Sequence, residues 1–141
     1  MRPFLVLLPL IASVSCTPAG VSSQVALMNE IEGSIRLPPG AGSLRSYARY
    51  YTEHDGSIHG AYTTEVEEPP PPDYGCDELQ SDFSSKAVPC PALADVPVGQ
   101  RRWVKFDDYP AVAGPGCTAI QLEYDRQAKK FTYLKCVRPL H

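Results

Sequence analysis

Seven consecutive residues, Glu53-His-Asp-Gly-Ser-Ile-His59, carry the densest set of groups in this chain able to bind a metal or move a proton. Imidazoles and carboxylates are ligands for a divalent cation, which needs three or four of them converging. Asp55-Gly56 is also a preferred pair for a two-residue β-turn, because a type I′ turn requires positive φ at both central residues. With that turn closed, Thr52 faces His59 and Ser57 faces His54, so the imidazoles share a face but stand one step out of line. The spacing supplies no third ligand, and an exposed turn favours the same composition. Ser57, His59 and Asp55 have the residue types of an acyl-transfer relay. They alternate along one tight turn, however, which supports neither the relay's hydrogen bonds nor an oxyanion hole. There is no Gly-x-Ser-x-Gly, no His-Glu-x-x-His and no phosphate loop. The sequence therefore assigns no catalytic residue, no metal ligand and no cofactor. A metal-assisted hydrolase at His54 and His59 stands as the enzyme alternative.

Tyrosines flank the same turn. Tyr47, Tyr50, Tyr51 and Tyr62 offer large apolar faces with polar tips, which suit carbohydrate or protein partners as well as a core. Tyr47, Tyr51, Tyr62 and Trp103 are accordingly binding candidates, with packing as the alternative reading.

Two hairpins would position these groups. The first has strands near residues 46–53 and 57–66, rich in aromatic and β-branched side chains. The second is the clearest strand signal in the chain, Cys117-Thr-Ala-Ile-Gln-Leu-Glu-Tyr124, with its return Lys130-Phe-Thr-Tyr-Leu-Lys-Cys136. Setting Cys117 opposite Cys136 pairs Ala119 with Leu134, Ile120 with Tyr133 and Leu122 with Phe131. Residues 125–128 are left as a four-residue loop, a permitted connection. Cysteine position, apolar pairing and loop length thus select one register and a disulfide across the hairpin.

Around the hairpins, residues 22–32 read as a short helix with Val25, Met28 and Ile31 at spacing three, ended by Gly33. Arg36-Leu-Pro-Pro-Gly-Ala-Gly42 cannot be helical. Residues 67–100 open on Glu-Glu-Pro-Pro-Pro-Pro-Asp, and further prolines stand at 89, 91 and 97. This is an extended excursion with room for two helical turns at residues 77–85. A Cys76–Cys90 bridge would close it. Residues 101–107 read as a fifth strand. Together these predict an α+β domain: an antiparallel sheet of about five strands with a short N-terminal helix and a Pro-rich, disulfide-closed loop.

Residues 1–15 have the early charge, apolar run and small closing residues of an export signal, which sets residues 16–34 as tether and helix and 35–141 as one domain. Ser13-Val-Ser-Cys16 resembles a bacterial lipobox with Ser13 where leucine is usual, making Cys16 a lipidation candidate. Ordinary cleavage after Ser15 or near Ala19 is the alternative. The five cysteines then divide into Cys16 and two pairs, a pattern suited to an oxidising compartment. Of 13 basic residues only Arg2 precedes Cys16, leaving 12 against 16 acidic ones and a net charge of −4, no electrostatic case for nucleic acid.

Charge is unevenly spread. Residues 50–100 hold ten acids against Lys86, and residues 101–141 hold eight bases against four acids. The simplest expectation is an acidic middle lying on a basic closing hairpin. The sharper one makes Arg101, Arg102, Lys129, Lys130, Lys135 and Arg138 a docking face for an anionic polymer or acidic partner.

Arg36-Leu-Pro-Pro-Gly40, Tyr47-Ala-Arg-Tyr-Tyr51 with Asp55-Gly56 and Gly60-Ala-Tyr62, and Gly116-Cys117 through Tyr124-Asp125 to Cys136 resemble a group of small exported bacterial proteins of unknown function. The likeness spans about half the chain and skips the proline-rich middle. It implies export, a paired Cys117 and Cys136, and a periplasmic or membrane-anchored envelope setting, and it implies no activity or site residue. The expected function is a non-catalytic binding or structural role toward an envelope protein or polymer, with membrane contact only through a lipid anchor. The alternative within the binding class is an inhibitor of an envelope hydrolase that presents loop 67–100.

Overall fold

The computed structural model describes residues 19–139, with side chains from residue 23 onward. The export signal over residues 1–15 and the lipidation candidate Cys16 lie outside the described residues. Helix α1 spans Ala19–Ser34. It runs through Gly33 and closes where Ser34 Oγ donates to the carbonyls of Glu30 and Ile31 at 2.9 and 3.2 Å. Met28 and Ile31 are buried, whereas Val25, expected on the same stripe, is 41% exposed. The apolar face instead continues through the partly buried Leu27 and Ile35.

Seven strands follow: β1 (Ala48–His54), β2 (Ser57–Thr63), β3 (Cys76–Leu79), β4 (Ser85–Val88), β5 (Arg101–Trp103), β6 (Ala119–Asp125) and β7 (Lys130–Cys136). Five form one sheet in the order β5-β1-β2-β6-β7, and β3 with β4 forms a separate two-stranded ribbon. The sheet is mixed rather than antiparallel, because β5 runs parallel to β1. β2 ends beside the start of β1, with Thr63 opposite Ala48, and residues 64–100 take the chain across β1 at that end so that β5 begins next to Arg49 and runs parallel to β1. The fifth strand is also shorter than the sequence suggests. After Trp103 the chain leaves the sheet, and Phe106–Asp108 is a 3-10 turn.

The Cys117–Cys136 disulfide is present, but it is not a rung of the hairpin. β6 begins only at Ala119, and Cys136 stands opposite Ile120, with Leu122 opposite Leu134. The pairing is therefore three residues away from the expected register. Cys117 lies in the turn before β6, at the end of Gly114-Pro-Gly-Cys, and closes that turn onto β7. A bulge next to Glu123 and Tyr124 places Tyr124 opposite Phe131. The extra residue returns Phe131 to the core side, where its ring meets Tyr124 edge-on at 5.1 Å. Tyr133, expected to pair with Ile120, sits on the other face and is 41% exposed.

Both faces of the sheet are covered. α1 lies on one, over Tyr47, Tyr51, Ile58, Tyr62, Ile120, Leu122 and Tyr124. On the other, Ala94, Val96 and Val112 from the irregular chain flanking β5 pack on Ala48, Tyr50, Ala61 and Ala119. The helix-side core requires a glycine at position 60. Gly60 stands in the row Tyr51, Gly60, Leu122, and a Cβ placed there would lie 2.7 Å from Leu122 Cγ. Leu122 is itself buried, so its side chain could move only by displacing its core neighbours. Gly60→Ala is therefore expected to lower stability by about 1–3 kcal/mol through overpacking. Urea unfolding measures it, and an unchanged midpoint would show that the row tolerates a methyl group.

Candidate functional site

The tyrosine candidates turn out to be core. Tyr47, Tyr51 and Tyr62 are each 1% exposed or less, which removes them from the reach of any partner docking on the folded domain. Their hydroxyls are satisfied inside. The Tyr51 and Tyr62 oxygens lie 2.6 Å apart, Tyr51 donates to Glu32 Oε1 at 2.9 Å, and Tyr47 donates to the Cys117 carbonyl at 2.7 Å. Burial, then the neighbouring Tyr62 hydroxyl and Glu32 carboxylate, holds the Tyr51 phenol well above its usual range, and burial does the same for Tyr62. Phenols this reluctant to ionise pack and donate hydrogen bonds rather than act as bases.

Glu32 is the polar centre of this layer. Its Oε1 also accepts from Arg49 Nε at 2.9 Å, and its Oε2 accepts from Arg101 Nη1 at 3.0 Å. Arg49, near the start of β1, reaches the Leu44 and Gly99 carbonyls as well. One helix carboxylate thus binds β1 and β5 together. Nearby, Tyr124 donates to Glu30 at 2.6 Å, and this bond, with Lys129 beside it, holds the Glu30 carboxyl below its usual range.

In the histidine turn the two imidazoles have separate neighbours. His54 and His59 ring centroids are 6.1 Å apart, but His54 stacks on Phe106 at 3.7 Å and its Nε2 contacts Asp55 Oδ2 at 3.1 Å. Among the described residues no group of three or more His, Cys, Asp or Glu side chains converges on a metal position. Trp103 is the one aromatic candidate with an accessible face. It borders an open groove of about 510 Å³ with Tyr50, Asp95, Arg102 and Lys105. Arg102 Nη1 donates there to both carboxylate oxygens of Asp95 at 3.1 Å, and both side chains are half exposed.

The excursion holds the most distinctive exposed surface. Residues 77–85 are not helical: β3 and β4 pair from Cys76 opposite Val88 to Leu79 opposite Ser85. The Cys76–Cys90 disulfide ties the open end. At the closed end Gln80 N–H donates to Ser84 O at 2.8 Å, and Asp82 Oδ1 accepts from the Ser84 N–H and hydroxyl at 3.0 and 2.6 Å. The third residue of this three-residue tip, Phe83, has φ of +65°. That position in such a loop favours glycine, and a bulky residue there carries strain of about 1–2 kcal/mol. Phe83 is nevertheless 86% exposed and Leu79 70% exposed, with Tyr74 also open at the ribbon's base.

The expected neutralisation of the acidic middle by the basic hairpin is largely missing. Among the described residues two ion pairs join the two stretches, Glu53 with Arg126 at 3.0 Å and Asp95 with Arg102 at 3.1 Å, and only the first reaches the closing hairpin. Lys129 reaches Glu30 of the helix at 3.5 Å, while Asp73, Asp77, Glu78, Lys130, Lys135 and Arg138 form no ion pair. No protein-family model, curated protein or solved structure matches the chain.

Proposed function

We propose that this chain is an exported cell-envelope protein with a non-catalytic role, which docks a protein partner through the ribbon of β3 and β4. Two disulfides fit an oxidising, exported environment, and no described helix is long and apolar enough to cross a membrane. Lipidation of Cys16 would hold the domain at the membrane surface and is part of the proposal; palmitate labelling of the wild type against Cys16→Ser tests it.

Phe83 is the observation that supports the docking role. A large apolar side chain stands fully presented where glycine would be unstrained, and strain kept at an exposed position points to use rather than to packing. An inhibitor of an envelope hydrolase is the more specific form of this reading, since a stiff disulfide-closed ribbon with an aromatic tip suits insertion into a cleft. The hydrolase alternative at His54 and His59 would need a third ligand from outside the residues gathered there.

Phe83→Gly separates these roles, because it relieves the strained φ and removes the anchor at once. The variant should fold with unchanged urea stability and lose the wild type's specific partner in pull-downs from envelope extract. An identical set of captured partners would end the docking role of the ribbon.

A further inference from the structure

The two sheets leave four strand edges unpaired, β5, β7, β3 and β4, and of these β7 and β3 carry opposite charge. β7 ends the five-stranded sheet, and β3 forms one edge of the ribbon. Backbone alternation shows which peptide groups look outward. Val137 N–H bonds to Ala119 O at 2.9 Å, so Tyr133 and Lys135, in step with it, turn theirs toward β6. Those of Leu134 and Cys136 face the open side. In the ribbon, the Gln80 N–H to Ser84 O bond puts Glu78 in step toward β4 and leaves Asp77 and Leu79 facing out.

Two antiparallel edges join only where outward groups meet outward groups. The register that sets Leu79 opposite Leu134 does this, and it places Glu78 opposite Lys135. Leucine then meets leucine on one face, and a carboxylate meets an ammonium on the other, both favourable cross-strand pairs. Among the described residues of one copy neither Glu78 nor Lys135 forms an ion pair, Lys135 lying over the Tyr133 ring at 5.4 Å, and the two edges lie in separate sheets.

We propose that β7 is the docking edge for β3 of a second copy of this chain, an acidic strand added antiparallel to a basic one. This deepens the reading of the ribbon as a docking element and rests on it. Lysines on an edge strand ordinarily block pairing with another strand. Against an acidic strand they select instead. A four-residue strand makes a small and therefore weak interface, and its exposed ion pair makes it salt-sensitive.

Sedimentation equilibrium up to millimolar protein tests this, using the exported protein with Cys16→Ser so that no free thiol joins copies. The wild type should self-associate at low salt and less at high salt. Glu78→Lys and Lys135→Glu, both at exposed positions, should each weaken association by about tenfold or more. The double variant in one chain should regain it by restoring the pair with signs exchanged. A monomeric wild type, single variants that associate like it, or a double variant that regains nothing would each overturn the proposal. A monomeric wild type whose envelope partner is still lost on Phe83→Gly would leave the ribbon's docking role standing and remove only the second copy as its occupant.

Discussion

Replacing Glu32 by alanine is expected to lower the unfolding free energy by about 3–5 kcal/mol, toward the upper end of single-residue effects. The carboxylate sits at the helix–sheet seam with three donors on it, Arg49 Nε at 2.9 Å, Arg101 Nη1 at 3.0 Å and the Tyr51 hydroxyl at 2.9 Å. Arg49's side chain is only 8% exposed. Removing its counter-charge leaves a guanidinium buried with carbonyl partners alone, and a buried charge without an opposite one is far costlier than a lost surface pair. The same change frees Arg101, which the carboxylate holds from β5, and leaves it only Asn29 at 2.6 Å. Glu32→Gln, which keeps the shape and one acceptor oxygen, should lose roughly half as much. Urea midpoints of the three proteins measure this. An alanine variant within about 1 kcal/mol of wild type would mean that the two arginines reach water without disturbing the fold.

That seam shows where sequence reasoning reached and where it stopped. The α+β class was legible because Met28 and Ile31 sit at helical spacing while Ile120, Leu122 and Tyr124 alternate. Glu32 itself carries no local signal, but its partner does. Arg49 stands between Ala48 and Tyr50 in a run that is otherwise apolar, and a charge inside such a strand demands a buried counter-charge from another element. The tyrosines were legible as a cluster but not as core, since a phenol looks alike from sequence whether its tip meets a partner or another phenol. The hairpin register failed for a different reason. The three cues agree only if the disulfide is a rung, and period-two counting cannot see a bulge that inserts a residue. The parallel placement of β5 against β1 joins residues about fifty positions apart, and no local pattern carries that information. The ribbon was hidden by its tip, where Phe83 occupies a conformation that composition assigns to glycine.

The two disulfides should differ sharply in effect although loop entropy treats them almost alike. They span sequence separations of 14 and 19, for which chain closure alone gives about 3 kcal/mol each. Cys117–Cys136 belongs to the cooperative domain. It fixes the Gly114-Pro-Gly-Cys turn onto β7, beside the Cys117 carbonyl that accepts from buried Tyr47. Replacing both cysteines by alanine should therefore cost about 3 kcal/mol of global stability. Cys76–Cys90 closes a ribbon whose strands pair only with each other, outside the five-stranded sheet. A two-stranded hairpin is marginal by itself, so the ribbon's own opening, not that of the domain, is what this bond opposes. Alanine at Cys76 and Cys90 should leave the urea midpoint nearly unchanged and expose residues 73–90 to limited proteolysis, while the Cys117 and Cys136 variant shows the reverse. Equal losses of global stability would mean that ribbon and sheet unfold as one unit, and the ribbon could not then be an independently presented docking element.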